Sequence, residues 1–142
     1  MGKETIFTGG CLCGAVRYEA QPDPTTAYYC HCRDCQIGSG SAFHVAVMAP
    51  DSSFRLVSGE TSTYEYNADS GDIMEKVFCA RCGTPIWWVD PNFPNQVILT
   101  VSSLDNPEAI TPLIEIFTKS ALLWSSIPEG TDKYREDTLD PN

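Results

Sequence analysis

The chain has 142 residues, 42% of them hydrophobic and 20% charged, and its 9 Lys and Arg face 19 Asp and Glu for a formal charge of −10. This length and apolar content fit one domain with its own core, and they exclude a disordered chain, which would be more charged and poorer in aromatics. The acidity opposes a phosphate backbone or an anionic membrane, so neither nucleic acid nor membrane is expected as a partner.

Taken in chain order, Met1-Gly2-Lys3-Glu4-Thr5-Ile6 carries neither the apolar core of a secretory signal nor a myristoylation pattern. No apolar run is long enough to cross a bilayer, and a reducing, cytoplasmic setting is expected. Residues 15–19 and 43–47 alternate apolar and polar, and 54–57 stop at Ser58-Gly59. Residues 73–78, 86–89, 97–101 and 113–117 are short and β-prone, bounded by Gly, Pro, Asn or Asp. These spacings predict strands. No segment carries a helical stripe over three turns, so short helical turns are expected only after Cys35 and after Leu104. Residues 129–142 are polar and expected to be loosely held. The expectation is an all-β fold, with residues 1–142 forming a single domain.

The seven cysteines fall into three short-range groups: Cys11 and Cys13, then Cys30, Cys32 and Cys35, then Cys79 and Cys82. In a reducing compartment such groups are metal ligands or catalytic thiols rather than disulfides. Gly14 and Gly83 follow the second cysteine of each outer pair, where a glycine permits the tight turn that aims amides at thiolates. A closed structural zinc takes four ligands, while a catalytic zinc keeps one position open over three. Seven thiols divide accordingly. The outer pairs would form a structural site stapling the start of the chain to its later strands. The triplet would form an open site, giving two zinc ions per chain. For the triplet two alternatives stand: a second structural zinc completed by His31 or His44, or a reduced thiol cluster holding no metal. His31 lies between two cysteines and would point away from them in extended backbone, and His44 reads as a half-buried, satisfied histidine in a strand.

Several of these segments together resemble one family. They are Gly10-Cys11-Leu12-Cys13-Gly14-Ala15-Val16-Arg17-Tyr18-Glu19, Cys30-His31-Cys32-Arg33-Asp34-Cys35, Gly38-Ser39-Gly40-Ser41-Ala42-Phe43 and Phe78-Cys79-Ala80-Arg81-Cys82-Gly83-Thr84-Pro85. The resemblance is to the glutathione-dependent formaldehyde-activating enzyme family, also called the GFA or centromere protein V domain family. It runs from about residue 9 to about residue 128, with Phe117-Thr118-Lys119-Ser120 and Trp124 fitting the closing segment. It implies an Mss4-like β-fold, a structural zinc on Cys11, Cys13, Cys79 and Cys82, and a catalytic zinc on Cys30, Cys32 and Cys35. The implied activity joins glutathione and formaldehyde as S-hydroxymethylglutathione, in the carbon–sulfur lyase class. The implied partners are therefore a small thiol such as glutathione and a small aldehyde. Three thiolates leave a zinc site formally at −1, which favours thiol capture over strong carbonyl activation.

Other functions compete with this one: a non-catalytic zinc-stapled binding module, and a thiol redox domain related to methionine sulfoxide reductases. A glutathione clamp would need local positive charge, for which Arg17, Arg33, Arg55 and Lys119 are the candidates, each as readily an ordinary solvated side chain. The backbone of Gly38-Ser39-Gly40-Ser41 could receive a carboxylate beside the triplet, or form an ordinary turn. Trp87, Trp88, Phe93, Trp124, Tyr28 and Tyr29 could line a pocket, although the core reading leads for all six. If 87 and 88 lie on a strand, their side chains face opposite sides. Asp34 sits inside the triplet loop as a possible base, but reads as an exposed carboxylate.

Overall fold

A computed structural model describes residues 5–137. Eleven strands and one α-helix are present among them: β1 (Phe7–Gly10), β2 (Arg17–Ala20), β3 (Tyr28–Cys30), α1 (Arg33–Ser39), β4 (His44–Pro50), β5 (Arg55–Ser58), β6 (Thr61–Asn67), β7 (Ile73–Cys79), β8 (Pro85–Val89), β9 (Gln96–Thr100), β10 (Ile114–Ile116) and β11 (Asp132–Lys133). The fold is all-β with short 3-10 turns, consistent with the Mss4-like expectation. No helix among the described residues is long and apolar enough to cross a membrane.

A small sheet runs β1-β2-β5 and a large one runs β11-β10-β3-β4-β9-β8-β7-β6. All pairings are antiparallel except those of β10, which lies parallel to both β3 and β11. Period-two alternation sorts β4 into two faces. Val45, Val47 and Ala49 pack with Val16, Tyr18 and Leu99 in the main core, while Ala46 and Met48 pack with Trp88, Ile98 and Tyr28 on the opposite face. Fully buried side chains such as Leu99 and Tyr18 each contribute roughly 2 kcal/mol by leaving water.

Trp87 and Trp88 divide as alternation requires. The Trp87 ring packs 4.7 Å from Phe54, and the Trp88 ring lies 4.4 Å from His44 on the other face. A register shift between Val77 and Phe78 accommodates the short β7–β8 connection.

One expectation is overturned. The polar stretch after residue 128 is docked as far as it is described, with Asp132 N–H donating to Leu113 O at 2.8 Å and Tyr134 N–H to Glu115 O at 2.8 Å. Polar side chains do not prevent a strand from forming when its backbone completes the edge of a sheet. Residues 138–142 lie outside the described residues.

Candidate functional site

The outer cysteine pairs occupy two matching turns. Cys11 and Cys13 lie between β1 and β2, and Cys79 and Cys82 lie at the end of β7 before β8. In each turn the glycine amide closes back on the first cysteine, from Gly14 N–H to Cys11 O at 3.1 Å and from Gly83 N–H to Cys79 O at 2.9 Å. Both glycines need positive φ, +82° and +80°, which side chains disfavour. Backbone amides then aim at sulfur: Val16 N–H to Cys11 Sγ at 3.2 Å, and Arg81 and Cys82 N–H to Cys79 Sγ at 3.3 and 3.4 Å. Leu12 N–H donates to Thr84 Oγ1 at 3.1 Å, tying one turn to the other.

All four Sγ atoms lie within 4.8 Å of one another. Cys11 and Cys13 are 3.5 Å apart and Cys13 and Cys79 3.9 Å, against about 3.8 Å between sulfurs on a tetrahedron of bonds near 2.3 Å. The residues therefore fit a tetrahedral thiolate-bound metal. The Thr84 hydroxyl and nearby amides hold the Cys82 thiol down to about 5.

The triplet is built by the β3-to-α1 junction. Cys30 ends β3, Cys32 caps the helix N-terminus, and Cys35 lies in its first turn. Their three Sγ atoms also lie within 4.8 Å of one another. Cys35 N–H donates to Cys32 Sγ at 3.3 Å. The Cys30 and Cys35 thiols pull Cys32 down to about 3, with the Cys35 and Asp34 amides adding to them. Three converging sulfurs suit a soft or borderline metal with a fourth position left over.

Neither histidine completes the triplet. His31, on the opposite face of the extended backbone, places Nε2 3.0 Å from Glu115 Oε1. His44 is buried and has Nε2 3.2 Å from Thr100 Oγ1. Burial pulls its imidazole down to about 4, opposed by the charge of Cys32 and assisted by Lys76.

All three triplet cysteines open on a cavity of about 430 Å³. Its walls include Tyr28, Met48, Met74, Phe93, Ile98 and Phe117, and its charged lining consists of Asp34, Asp72, Asp90 and Asp137. The period of two in β3 puts Tyr28 and Cys30 on this face, while Tyr29 packs edge-on against Phe43 at 5.3 Å on the other.

The basic candidates go elsewhere. Arg17 pairs with Asp105, Arg55 with Glu19 and Lys119 with Glu136, and Arg33 donates to Gln36 Oε1. Ser39 and Ser41 line a separate cavity beside Cys11 and His44, so the Gly38-to-Ser41 stretch offers no cradle at the triplet. Of the aromatic candidates Tyr28 and Phe93 line the triplet cavity, whereas Trp124 is 76% exposed.

Sequence reasoning missed Glu115, Asp90 and Phe117 as parts of this region. Glu115 leaves a signal, a carboxylate at a central position of an otherwise apolar strand.

An all-β frame holding a closed set of four thiols, and a separate set of three opening on a cavity, defines a cysteine-clamped β protein with two candidate metal centres. The chain belongs to the glutathione-dependent formaldehyde-activating enzyme family, whose model it matches over residues 6–120. A protein of Halomonas elongata, provisionally named a glutathione-dependent formaldehyde-activating enzyme, is 29% identical over 78% of this chain and 76% of its own length. An uncharacterized lyase of Schizosaccharomyces pombe is 28% identical over 74% of this chain and 73% of its own. A crystal structure of a Rhodobacter sphaeroides protein superposes with a TM-score of 0.58 at 24% identity, over 69% of this chain and 87% of that one, and supports the fold.

Proposed function

We propose that the protein is a zinc-dependent carbon–sulfur lyase-type enzyme that joins a small thiol to a small aldehyde, or cleaves their adduct. The observation that carries this reading is the position of Cys30, Cys32 and Cys35 in the wall of a ligand-sized cavity. The four-thiol set lies apart from that cavity and serves as the structural centre of residues 1–142, taken as one domain. The family's name and the lyase name of one relative point the same way.

Zinc on the triplet would supply a position that takes a thiol as its thiolate. The cysteines hold that position at one end of the cavity, and the apolar walls exclude water from the reacting carbon. In the condensation the sulfur lone pair forms the new carbon–sulfur bond, the carbonyl π pair moves to oxygen, and the thiol's proton ends on that oxygen. No electron acceptor is required. The cavity favours an enzyme over a binding module, which would need only an exposed surface. The clustered thiols support a reducing compartment such as the cytoplasm.

The test is hydroxymethyl thioether formation from formaldehyde and a panel of thiols, followed by NMR with the zinc-loaded protein. A rate above background that disappears with Cys32→Ser is expected. A rate equal to background for every thiol overturns the proposal.

A further inference from the structure

The cavity beside the triplet is selective in charge as well as shape. The chain has nine Lys and Arg. Lys3 lies outside the described residues, and none of the other eight lines this cavity. Its charged lining is entirely carboxylate: Asp34, Asp72, Asp90 and Asp137. Asp72 and Asp90 are joined through Asn92, whose side-chain amide donates to Asp72 Oδ2 at 2.7 Å and whose backbone N–H donates to Asp90 Oδ1 at 2.9 Å. These bonds hold both acids at the rim. Burial pushes the Asp90 carboxyl up against the opposing pull of the Asn92 bonds, and the charges of Asp72 and Asp137 push it further.

The wall itself carries a second, independent mark. Phe117 has φ 55° and ψ 40°, the left-handed region that a bulky L residue seldom enters. Its amide donates to Glu136 O at 2.9 Å, and Thr118 N–H donates to Tyr134 O at 3.2 Å, so the returning tail holds the strained residue in place. Phe117, held in this way, lines the cavity at a backbone position where glycine would sit without cost.

We infer that the thiol this cavity accepts is small, apolar and free of negative charge, an arylalkyl or alkyl thiol rather than glutathione, with Phe117 as the wall that selects it. The inference rests on the carbon–sulfur lyase reading and narrows its substrate class. Glutathione brings two carboxylates and one ammonium. In this cavity its carboxylates meet Asp34, Asp72 and Asp90 and, among the described residues, no cation, a juxtaposition that rejects a ligand without any steric clash. A neutral thiol with a hydrocarbon body keeps its sulfur free for the triplet and places that body against Met48, Ile98 and Phe117.

Calorimetric titration of the zinc-loaded protein with phenylmethanethiol and with glutathione tests this. Phenylmethanethiol is expected to bind at least about tenfold more tightly. Asp90→Asn, which keeps the turn to Asn92, should shift the affinity ratio several-fold toward glutathione. Phe117→Gly relieves the backbone strain, so its melting temperature should hold while phenylmethanethiol affinity falls about tenfold. Where Phe117→Gly does not fold, the Asp90→Asn ratio decides. Equal or tighter binding of glutathione, or a ratio unmoved by Asp90→Asn, overturns the inference. If no thiol condenses with formaldehyde while the affinity order holds, the lyase reading falls and the selectivity stands. If condensation proceeds with glutathione preferred, the selectivity falls and the reaction stands.

Discussion

His31 Nε2 lies 3.0 Å from Glu115 Oε1, with both residues buried, so the loop carrying the three-cysteine set is fastened to β10 from behind. His31 Nδ1 has no hydrogen-bond partner among the described residues, so Glu115 is the side chain that holds the ring. Glu115 is also a hub. Thr131 Oγ1 donates to its Oε2, and Lys133 Nζ lies 3.1 Å from the same oxygen. Burial would raise the Glu115 carboxyl, but the bonds from Thr131, Lys133 and His31 outweigh it and hold it below its ordinary range. One carboxylate thus joins the three-cysteine loop, β10 and the returning tail.

Glu115→Ala leaves His31 and Thr131 without their partner in a buried place, and should cost about 3 kcal/mol of unfolding free energy. Glu115→Gln keeps an acceptor and should cost about 1 kcal/mol. Urea unfolding of the metal-loaded protein measures both. An Ala variant as stable as the Gln variant would show that the His31 link does not hold the loop.

Ending the chain after residue 129 removes the amides that donate to Leu113 O and Glu115 O, together with the Tyr134, Arg135 and Glu136 carbonyls that receive Thr118, Lys119 and Phe117 N–H. With about 1 kcal/mol net for each of these backbone bonds, the loss should be about 5 kcal/mol. The truncated chain should also bind ligand at the triplet cavity about fivefold more weakly, because Phe117 loses the contact that fixes its strained backbone. Unchanged urea midpoint and affinity would show the tail to be ornamental.

That tail marks the limit of what the sequence made legible. The strands at residues 73–78 and 97–101 declared themselves through runs of Val, Ile and Phe, and the structure places Ile73–Cys79 and Gln96–Thr100 there. Thr61–Asn67 and Asp132–Lys133 carry no such run, because edge strands need only backbone pairing and can leave most of their side chains in water. The cysteine grouping was readable because sets of sulfurs that could hold a metal are local in sequence and chemically narrow. The cavity was not, since its walls come from β3, β4, β7 and β9 and from the turn at Phe117, and only the folded register brings them together. The same holds for charge. Arg17 and Lys119 were plausible clamps until their partners Asp105 and Glu136 were placed.

The two cysteine sets should respond differently to a single oxygen-for-sulfur change. Cys79 is 1% exposed and its sulfur receives two amides. Cys79→Ser should lose one metal ion and lower the melting temperature by more than about 10 °C, since a structural zinc contributes folding free energy directly. Cys32→Ser should also lose one ion, yet serine is a good N-cap and α1 should survive, with the melting temperature within about 3 °C. Metal analysis paired with calorimetry reads both. Equal melting shifts for the two variants would refute the division of labour between the sites.

His44 supplies a pH dependence whose sign follows from burial. It is 4% exposed and lies between Thr100 and the Trp88 ring. Burial first, with Lys76 assisting and Cys32 opposing, lowers its pKa from 6.5 to about 4. Between those values the unfolded chain binds a proton that the folded protein refuses, so stability rises with pH across this window. The contribution is fully present above about 6.5 and is lost as pH falls toward 4, a change of about 3 kcal/mol at 1.36 kcal/mol per unit. Thiolate ligands take up protons in the same range and release metal, so the wild-type curve alone mixes two causes. His44→Gln separates them, because glutamine can hydrogen-bond Thr100 and does not titrate. The difference between wild-type and His44→Gln unfolding free energies, measured from pH 7.5 to 4.5 at fixed zinc, should grow steadily in the variant's favour below pH 6.5. A difference that stays flat across that range would mean that His44 is protonated as readily in the folded protein as in the unfolded chain, and that Lys76 and the surrounding apolar face do not set its charge.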